Sequence, residues 1–291
     1  MALLAVHMPY REVEKVYEEL RGLRVSRNTT HRRVQKLGEE FRRNEREIPR
    51  REPAKTGKAH VTADATMVYF RKEGWKEVKV GASYQVDESR EAEGITYVGT
   101  AKGREILGQR LYRLAGSPLA EETQPMGFVS DAASWLGELK AMYFPKSTEI
   151  VDFFHATEYL WKVAHAFYGE ATPKAPKWAE VKVSQLKQGD QRGLRKSLSQ
   201  MKPKTQEQRE TLKAAKRYFH NHGHKMDYPR YERMGFHIGS GIAEAGCKHV
   251  IQSRLKRSGM RWSREGAENL LQLRILYLNN QWAQIPMLQL N

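Results

Sequence analysis

The sequence predicts a mixed α/β fold, in which one sheet combines antiparallel and parallel strands. Residues 61–70 and 75–86 are rich in β-branched and aromatic residues, and the short polar turn between them predicts a hairpin. Residues 95–99 predict a third strand. Two further apolar segments, residues 127–131 and 149–155, alternate with segments of helical periodicity. Adjacent early strands followed by alternating strands and helices are typical of a mixed sheet. The predicted helices are residues 103–114, a segment that ends at 139, and residues 156–167.

The composition is that of a globular chain with a strongly basic surface. Of the 291 residues, 40% are hydrophobic, which is enough for a sizeable core, and 50 Lys and Arg against 34 Asp and Glu give a net charge of +16. This charge favours nucleic acid as a partner, with a membrane surface as the weaker alternative. The chain has no apolar segment long enough to span a bilayer and no signal-peptide pattern at its start, so an intracellular location is expected. The single cysteine, Cys247, excludes an internal disulfide and a Cys-rich zinc site.

Residues 1–47 predict two short helices that meet in a helix-turn-helix pattern. Gly22 breaks the first helix, and Ser26 is a suitable N-cap for the second. The start of the second helix carries side chains that can reach bases and phosphates from a major groove: Arg27, Asn28, Thr30, Arg32 and Arg33. An ordinary amphipathic helical pair with a solvated basic face is the alternative. Residues 48–59 are basic, contain proline and lack periodicity, which predicts a linker.

A glycine-rich motif near the end of the chain predicts another helix. Ser240 lies between two glycines and is a suitable N-cap, and Glu244 lies about one turn into the helix. At α-helical spacing Glu244, Lys248 and Gln252 share one face. The neighbouring stripe is apolar and consists of Ala243, Cys247, Val250 and Ile251. The simpler interpretation of Glu244 is that its charge complements the positive end of the helix dipole.

Two carboxylates occupy positions where an unpaired charge is costly. Asp64 lies within the first predicted strand among apolar neighbours, and Asp131 ends the fourth. Together with Glu244 they match the requirement of two-metal phosphoryl transfer, in which oxygen ligands hold two divalent ions at a scissile phosphate. A chance arrangement is the alternative in a chain with 34 acidic residues.

Four motifs stand out along the chain. They are residues 64–68 (DATMV), 74–81 (GWKEVKVG), 151–156 (VDFFHA) and 238–263, which begins with IGSG and includes RLKRSGMRW. The last of these is long and specific. In these motifs the chain resembles the DDE transposases of bacterial and archaeal insertion sequences, and within them the ISKra4 group. The resemblance covers nearly the whole chain from the helix-turn-helix pattern onward.

The resemblance implies an RNase H-like catalytic core in which Asp64, Asp131 and Glu244 are the catalytic residues and the ligands of two Mg²⁺ ions, with Mn²⁺ as a substitute. It also implies partners, namely transposon-end and target double-stranded DNA, bound by a homodimer or a larger assembly. The implied location is the nucleoid region of a bacterial or archaeal cytoplasm. The implied domains are a helix-turn-helix module (1–47), a basic linker (48–59), the first part of the core (60–170), a helical insertion (171–234) and the C-terminal core helices (235–291).

The chain departs from the family's pattern next to both aspartates. The family usually has Asp-Gly at these places, whereas this chain has Asp64-Ala65 and Asp131-Ala132. Alanine is not a steric obstacle within a strand, so both acids are expected to remain ligands. Many members of the family have more sequence before the first helices, which predicts a shortened N-terminus; such shortening would allow DNA-end binding to be lost without loss of the core.

The same motifs contain further candidates for DNA contact and for the active site. The candidates for DNA binding are Lys248, Arg254, Lys256, Arg257 and Arg261. Asp152 and His155 match an acid followed by a histidine that related transposases carry near the active site. The resemblance therefore implies that His155 contacts DNA or orients a ligand, with a core histidine as the alternative. Trp262 either stacks on an unpaired base or packs on the last predicted helix, residues 264–282, and packing is favoured.

These features favour a DNA transposase that cuts and joins strands at transposon ends by Mg²⁺-dependent phosphoryl transfer. The runner-up is a domesticated or decayed transposase that binds DNA without cutting it, and a structure-selective nuclease with the same core is third. The sequence contains no Walker-type phosphate loop and no dinucleotide fingerprint, so neither ATP nor NAD is expected as a cofactor.

Overall fold

The computed structural model describes residues 1–44, 57–115 and 125–285. Within these ranges a five-stranded sheet runs in the order β3-β2-β1-β4-β5. The strands are β1 (Lys58–Phe70), β2 (Gly74–Val86), β3 (Ala92–Thr100), β4 (Met126–Ser130) and β5 (Thr148–Val151). β2 pairs antiparallel with β1 and β3, whereas β4 pairs parallel with β1 and β5. The predicted mixed α/β fold is confirmed.

Helices surround this sheet. The first are α1 (Ala2–Ala5), α2 (Tyr10–Arg21) and α3 (Arg27–Asn44), followed between the strands by α4 (Arg104–Ala115), α5 (Ser134–Tyr143) and α6 (Phe153–Tyr168). Next come α7 (Lys174–Lys187), α8 (Gln191–Gln200), α9 (Gln206–His222) and α10 (Tyr228–Arg233). The last are α11 (Gly241–Gly246), a π-helical segment (Cys247–Gln252), α12 (Ser253–Leu255) and α13 (Arg264–Leu278). None of the helices in the described ranges has both the length and the apolar character that crossing a membrane requires.

The two N-terminal helices α2 and α3 pack into the main hydrophobic core. Val13 of α2 and Val34 of α3 are fully buried in the same cluster as Phe70, at the end of β1. α3 also lies directly against α13, because a Cβ added at Gly38 would be 2.7 Å from the backbone oxygen of Asn269. The helical pair is therefore held by the sheet and by the C-terminal helix.

The turn between α2 and α3 follows the sequence prediction. Gly22 ends α2 at a φ of 64°, a left-handed conformation that glycine adopts without strain. The hydroxyl of Ser26 accepts a hydrogen bond from the Thr29 N–H at 3.2 Å. Thr30, however, is fully buried and its hydroxyl donates to the sulfur of Met1. Its predicted contact with a DNA groove is wrong, because the side chain has no exposed surface.

Residues 171–234 are largely helical, as predicted, and build a second hydrophobic cluster. Leu194 of α8 and Leu212 and Phe219 of α9 are buried in this cluster together with Leu160 of α6. These helices therefore pack against α6, the helix that follows β5.

Two predicted boundaries are wrong. The strand predicted over residues 149–155 ends at Val151, because Asp152 starts a helix. The Asp152 side chain accepts hydrogen bonds at 2.6 and 3.1 Å from two N–H groups in the first turn of α6, which is the geometry of an N-cap. Most of the predicted linker, residues 48–56, lies outside the described residues, and its last two residues belong to β1.

A buried ion pair joins α4, the end of β3 and α13. Arg110 donates hydrogen bonds at 2.7 Å to Glu268 Oε1 and to the carbonyl oxygen of Gly99, and the Glu268 side chain has no exposed surface. The other carboxylate oxygen of Glu268 accepts hydrogen bonds from the Ala101 N–H at 2.6 Å and the Thr100 hydroxyl at 3.1 Å. Both charges therefore have hydrogen-bond partners in place of the water that they lose on folding.

Replacing Glu268 by Gln should destabilise the protein by about 3 kcal/mol, because the buried Arg110 loses its counter-ion while the side-chain volume is unchanged. Urea denaturation followed by circular dichroism measures the free energy of unfolding. The matched control is Glu138→Gln, since Glu138 pairs with Arg104 and is 57% exposed. An exposed pair contributes only about 0–1 kcal/mol, so equal effects of the two substitutions would contradict a special role for the buried pair.

Candidate active site

Asp64 lies in the middle of β1, opposite Val80 of β2, and its side chain is partly buried. Its Oδ1 accepts a hydrogen bond from the Ala65 N–H at 2.7 Å, and the carboxylate also hydrogen-bonds the Cys247 thiol. Burial raises the pKa of Asp64, and the nearby negative charge of Asp131 raises it further. The environment of Asp64 therefore disfavours its charged form.

Asp131 directly follows β4, the parallel neighbour of β1. The register pairs Thr62 with Val129, and Asp64 and Asp131 each lie two residues beyond these partners. Side chains in a strand alternate between the two faces of the sheet with a period of two. This register therefore places the two acids at corresponding positions along adjacent parallel strands. Oδ1 of Asp131 accepts a hydrogen bond from the Ala133 N–H at 2.9 Å. The two predicted aspartates thus lie close together.

The residue after the second aspartate carries backbone strain. β4 ends at Ser130, and Ala132 has a φ of 67°, so the expectation that this alanine lies in a strand is wrong. The left-handed conformation costs an L-residue about 1–2 kcal/mol, and glycine avoids this cost. Ala65, by contrast, lies within β1, where alanine is unstrained. The chain therefore carries alanine at one position whose conformation suits glycine.

Glu244 lies on α11, and its side chain is exposed. Cys247, about one turn further along, is 4% exposed. Burial raises the pKa of the Cys247 thiol, and the charges of Asp64 and Glu244 raise it further. The thiol therefore stays protonated and donates to the Asp64 carboxylate. From the sequence Cys247 was one residue of an apolar stripe, so this contact was missed.

The π-helical segment changes which side chains face the sheet. Residues five apart in an α-helix point about 140° away from each other, whereas i→i+5 hydrogen bonding places them on one face. Cys247 and Gln252 accordingly both face β1, since Gln252 donates a hydrogen bond to the Thr66 hydroxyl at 3.0 Å and Cys247 contacts Asp64. The predicted separation of Cys247, in the apolar stripe, from Gln252, on the neighbouring polar face, is therefore wrong.

Asp152 is 1% exposed and accepts hydrogen bonds on both carboxylate oxygens. One oxygen caps α6, and the other accepts from the N–H of Ser240 at 2.8 Å and from the Ser240 hydroxyl. The Asp152 N–H donates to the carbonyl oxygen of Ser130 at 2.7 Å, and the Phe153 N–H donates to that of Ile238 at 2.8 Å. Ser240 precedes α11 as predicted, but its hydroxyl bonds to Asp152 and does not cap the helix. Asp152 therefore ties β4, β5 and the glycine-rich motif together.

The helices of residues 171–234 contribute an aromatic side chain near Asp131. Tyr218 of α9 stacks on Tyr159 of α6 with ring centroids 4.0 Å apart, and it meets the His155 ring edge-on at 6.1 Å. Burial raises the pKa of Tyr218, and the charges of Tyr159 and Asp131 add to this effect. An electrostatic interaction with His155 lowers the pKa of Asp64, so His155 lies within electrostatic reach of that carboxylate. Tyr218 was missed because no local motif marks it.

The two aspartates have the chemistry of a divalent-cation site. Hard cations prefer carboxylate oxygens, and a bound cation would relieve the burial and the repulsion that raise the pKa of Asp64. Among the residues that the structure describes, no three His, Cys, Asp or Glu side chains are arranged to hold a metal ion. The carboxylate oxygens of Asp64 and Asp131 are therefore suitable ligands for a divalent ion. Glu244, however, does not complete a preformed three-ligand set with them.

The predicted DNA-binding residues divide into exposed and buried ones. The exposed ones are Arg27, Asn28, Arg32, Arg33, Lys248, Lys256, Arg257 and Arg261. Arg254 is fully buried, donates a hydrogen bond from Nε to the Ala5 carbonyl oxygen at 2.7 Å, and packs its guanidinium against the rings of Tyr10 and Trp262. The prediction that Arg254 contacts DNA at the surface is therefore wrong.

Trp262 is buried in the main core, so the favoured packing role is confirmed. Its indole N–H donates to the carbonyl oxygen of Leu255 at 2.9 Å, and its backbone forms a parallel bridge with Phe70 at the end of β1. The basic loop before α13 is thereby anchored to the sheet.

Comparisons with known proteins give one family and several relatives. A model of the family described as "Uncharacterised protein family (UPF0236)" matches residues 119–287, a range that includes Asp131, Asp152 and Glu244 but not Asp64. Two relatives come from Caldanaerobacter subterraneus subsp. tengcongensis. UPF0236 protein TTE0402 is 31% identical over 164 residues, and UPF0236 protein TTE2489 is 30% identical over 163 residues. Each alignment covers 55% of this chain and 30% or 32% of the relative, so the chain spans about a third of the length of the curated relatives it matches.

Replacing Ala132 by Gly should stabilise the protein by about 1 kcal/mol, because glycine adopts the left-handed backbone without a steric penalty. Ala65→Gly is the matched control of opposite sign, since glycine inside a strand is destabilising by roughly 0.5–1 kcal/mol. Urea denaturation measures both effects. A loss of stability in Ala132→Gly as large as that in the control would show that residue 132 is not strained.

Asp64→Asn should raise the melting temperature near neutral pH without divalent ions. The pKa of Asp64 is higher in the folded protein than in the unfolded chain, where it is about 4. The protonated carboxyl therefore contributes its full stabilisation below about pH 4, and this stabilisation is lost as the pH rises through the pKa of the folded protein. The advantage of the variant should therefore shrink on acidification. Asp87→Asn is the control, since hydrogen bonds from Glu91 and Ser89 lower the pKa of Asp87 and its loss should lower stability at neutral pH. If the difference in melting temperature between Asp64→Asn and the unmodified protein does not change with pH, the raised pKa of Asp64 is contradicted.

Proposed function

The chain belongs to the UPF0236 family, and we propose that it is a DNA transposase similar to the DDE transposases of the ISKra4 group. In this proposal it cuts and joins DNA strands at transposon ends by Mg²⁺-dependent phosphoryl transfer. The strand order β3-β2-β1-β4-β5, with β1 antiparallel to β2 and parallel to β4, supports an RNase H-like core for this activity.

The observation that carries the proposal is the pair of Asp64 and Asp131. Two acids at corresponding positions of neighbouring parallel strands, one of them with a raised pKa, destabilise the folded protein unless they have a positive partner. Perturbed carboxylates of this kind are concentrated at functional sites. A divalent ion between the protein and a phosphate would supply the missing positive charge.

The surrounding residues have separate roles in this proposal. Asp64, Asp131 and Glu244 would hold the Mg²⁺ ions, which when bound activate the attacking oxygen and stabilise the leaving oxygen. Asp152 positions the start of the helix that carries Glu244, through its hydrogen bonds to Ser240. The protonated thiol of Cys247, in the π-helical segment that continues this helix, holds that segment against β1 by donating to Asp64.

Two exposed surfaces would bind the DNA backbone. At the end of the β1–β2 hairpin, Lys256 lies over the ring of Trp75, which is 55% exposed, and Arg261 lies over the ring of Tyr69. Basic groups beside exposed aromatic rings suit phosphates and unstacked bases. The second surface is the start of α3, where the exposed side chains of a helix-turn-helix would contact the transposon end: Arg27, Asn28, Arg32 and Arg33.

A DNA-binding protein without catalytic activity is the second candidate. It is favoured by the absence, among the described residues, of a preformed three-ligand metal site and by the strained Ala132 next to Asp131. Both features would weaken metal binding without affecting the basic surfaces.

The purified protein should nick a supercoiled plasmid that carries the DNA flanking its gene when Mg²⁺ is added. Asp131→Asn and Glu244→Gln keep the shape of each side chain but remove the charge that a hard cation needs, so each should lower the nicking rate to below about one hundredth. Affinity for the flanking DNA, measured by fluorescence polarisation, should remain near that of the unmodified protein, because most contacts lie elsewhere.

Glu170→Gln changes an exposed residue after α6 and is the matched control, which should nick at the unmodified rate. Full Mg²⁺-dependent nicking by Glu244→Gln would return Glu244 to the role of a helix-dipole residue. Binding of the flanking DNA without nicking by the unmodified protein would favour the inactive DNA-binding protein.

A further inference from the structure

A cavity of about 480 Å³ lies where α2 and α3 meet the end of β1 and the loop before α13. Five arginines line it: Arg11, Arg27, Arg71, Arg254 and Arg261. No Asp or Glu occurs among the described residues of its lining, and we refer to it as the arginine cavity. Five guanidinium groups around one space, with no carboxylate in the described lining, create a positive potential that attracts anions.

Two cationic groups that line the cavity, His31 and Arg254, have lowered pKa values. Burial lowers the pKa of His31, which also lines the cavity, and the charge of Arg71 lowers it further. Burial is the main cause that lowers the pKa of Arg254 to about 10; the charges of Arg257 and Arg274, outside the cavity lining, lower it further, whereas those of Tyr10 and Glu12 raise it. An anion in the cavity would reduce the repulsion among these cations.

Arg254 supplies an unused hydrogen-bond donor in the cavity wall. The residue has no exposed surface; its Nε is bonded to Ala5, and its Nη1 lies 3.7 Å from the sulfur of Met260. Its Nη2 is buried and has no hydrogen-bond partner among the described residues. A buried charged donor without an acceptor is costly. Arg254 belongs to the cavity lining, so this donor lies in the wall of the space that an anion would fill.

The size and the walls of the arginine cavity indicate the kind of anion. Its volume lies within the range of roughly 300–1,000 Å³ that is usual for small-molecule sites and exceeds the need of a lone phosphate. The planar guanidinium fork matches phosphate oxygens. The ring of Tyr10 and the amide of Asn28 also line the cavity, and such groups stack on bases and bond to base edges.

We propose that the arginine cavity binds a nucleotide through its phosphate group. The choice of DNA as the source of this nucleotide rests on the proposed function. In that case an unpaired nucleotide at a strand end enters the cavity, while the duplex lies on the basic surface around Lys256 and Arg261. A free nucleotide has the same chemistry, so the experiment must separate the two sources.

Fluorescence polarisation tests the proposal with labelled duplexes in the absence of Mg²⁺. One duplex is blunt, and the other carries a 5′-phosphorylated single-stranded tail. The double variant Arg11→Gln/Arg71→Gln should bind the tailed duplex about tenfold more weakly or worse, because two charge-assisted contacts to phosphate are lost, whereas its affinity for the blunt duplex should change little. Deoxyadenosine monophosphate should compete with the tailed duplex for the unmodified protein.

The matched control is Arg192→Gln/Arg209→Gln, which removes the same charge from exposed positions of the helical insertion. It should keep the affinity for both duplexes within about twofold, since it changes only the long-range field. Thermal unfolding by circular dichroism should show that both double variants fold, because all four arginines are exposed.

A preference for the tailed duplex that the cavity variant loses and the control variant keeps supports the proposal. Binding of deoxyadenosine monophosphate that only the cavity variant loses, with no effect of the tail, would support the phosphate site and overturn DNA as its source. Equal losses in both double variants, or no competition by the mononucleotide, would overturn the arginine cavity as a nucleotide site. None of these results requires strand cleavage, so a failure of the nicking assay is a separate outcome.

Discussion

The hydrogen bonds of Asp152 are the constraint on which the arrangement of the candidate active site depends. A carboxylate that is 1% exposed is stable only when both oxygens are bonded. One oxygen caps α6 and the other holds Ser240, so a single side chain fixes two segments 88 residues apart. The Asp152 N–H also holds Ser130, the residue before Asp131. The position of Asp131 and the start of the Glu244 helix are therefore set by the same group.

The buried acids of this protein fall into two classes. Asp152 and Glu268 have their charges satisfied by protein groups, in one case by N–H and hydroxyl donors and in the other by Arg110 as well. Asp64 instead lies beside a second carboxylate and a protonated thiol, and its pKa is raised. Removing a partner of a fully bonded buried carboxylate is destabilising, whereas two adjacent carboxylates without a cationic partner have the chemistry that suits an external cation.

The arginines also fall into two groups, buried ones that bond to the protein and exposed ones that can meet a partner. The net charge alone therefore overstates the charge that is available to a partner. Arg254 and Arg274 are buried and donate hydrogen bonds to the carbonyl oxygens of Ala5 and Val6, so they attach the N-terminal segment to the C-terminal helices. Part of the charge of +16 is therefore internal and structural. The same attachment forms the arginine cavity, since it brings α2 and α3 against the loop before α13.

The sequence by itself determined the order of strands and helices, because hydrophobic periodicity reports which neighbours share a face. It also revealed Asp64 and Asp131, since a carboxylate among apolar strand residues is visible locally. Only the tertiary structure decided that Arg254 is buried, that Cys247 contacts Asp64, and that a π-helical segment turns Gln252 toward β1. These outcomes depend on contacts between segments far apart in the chain, and local spacing contains no information about which distant group a side chain will meet.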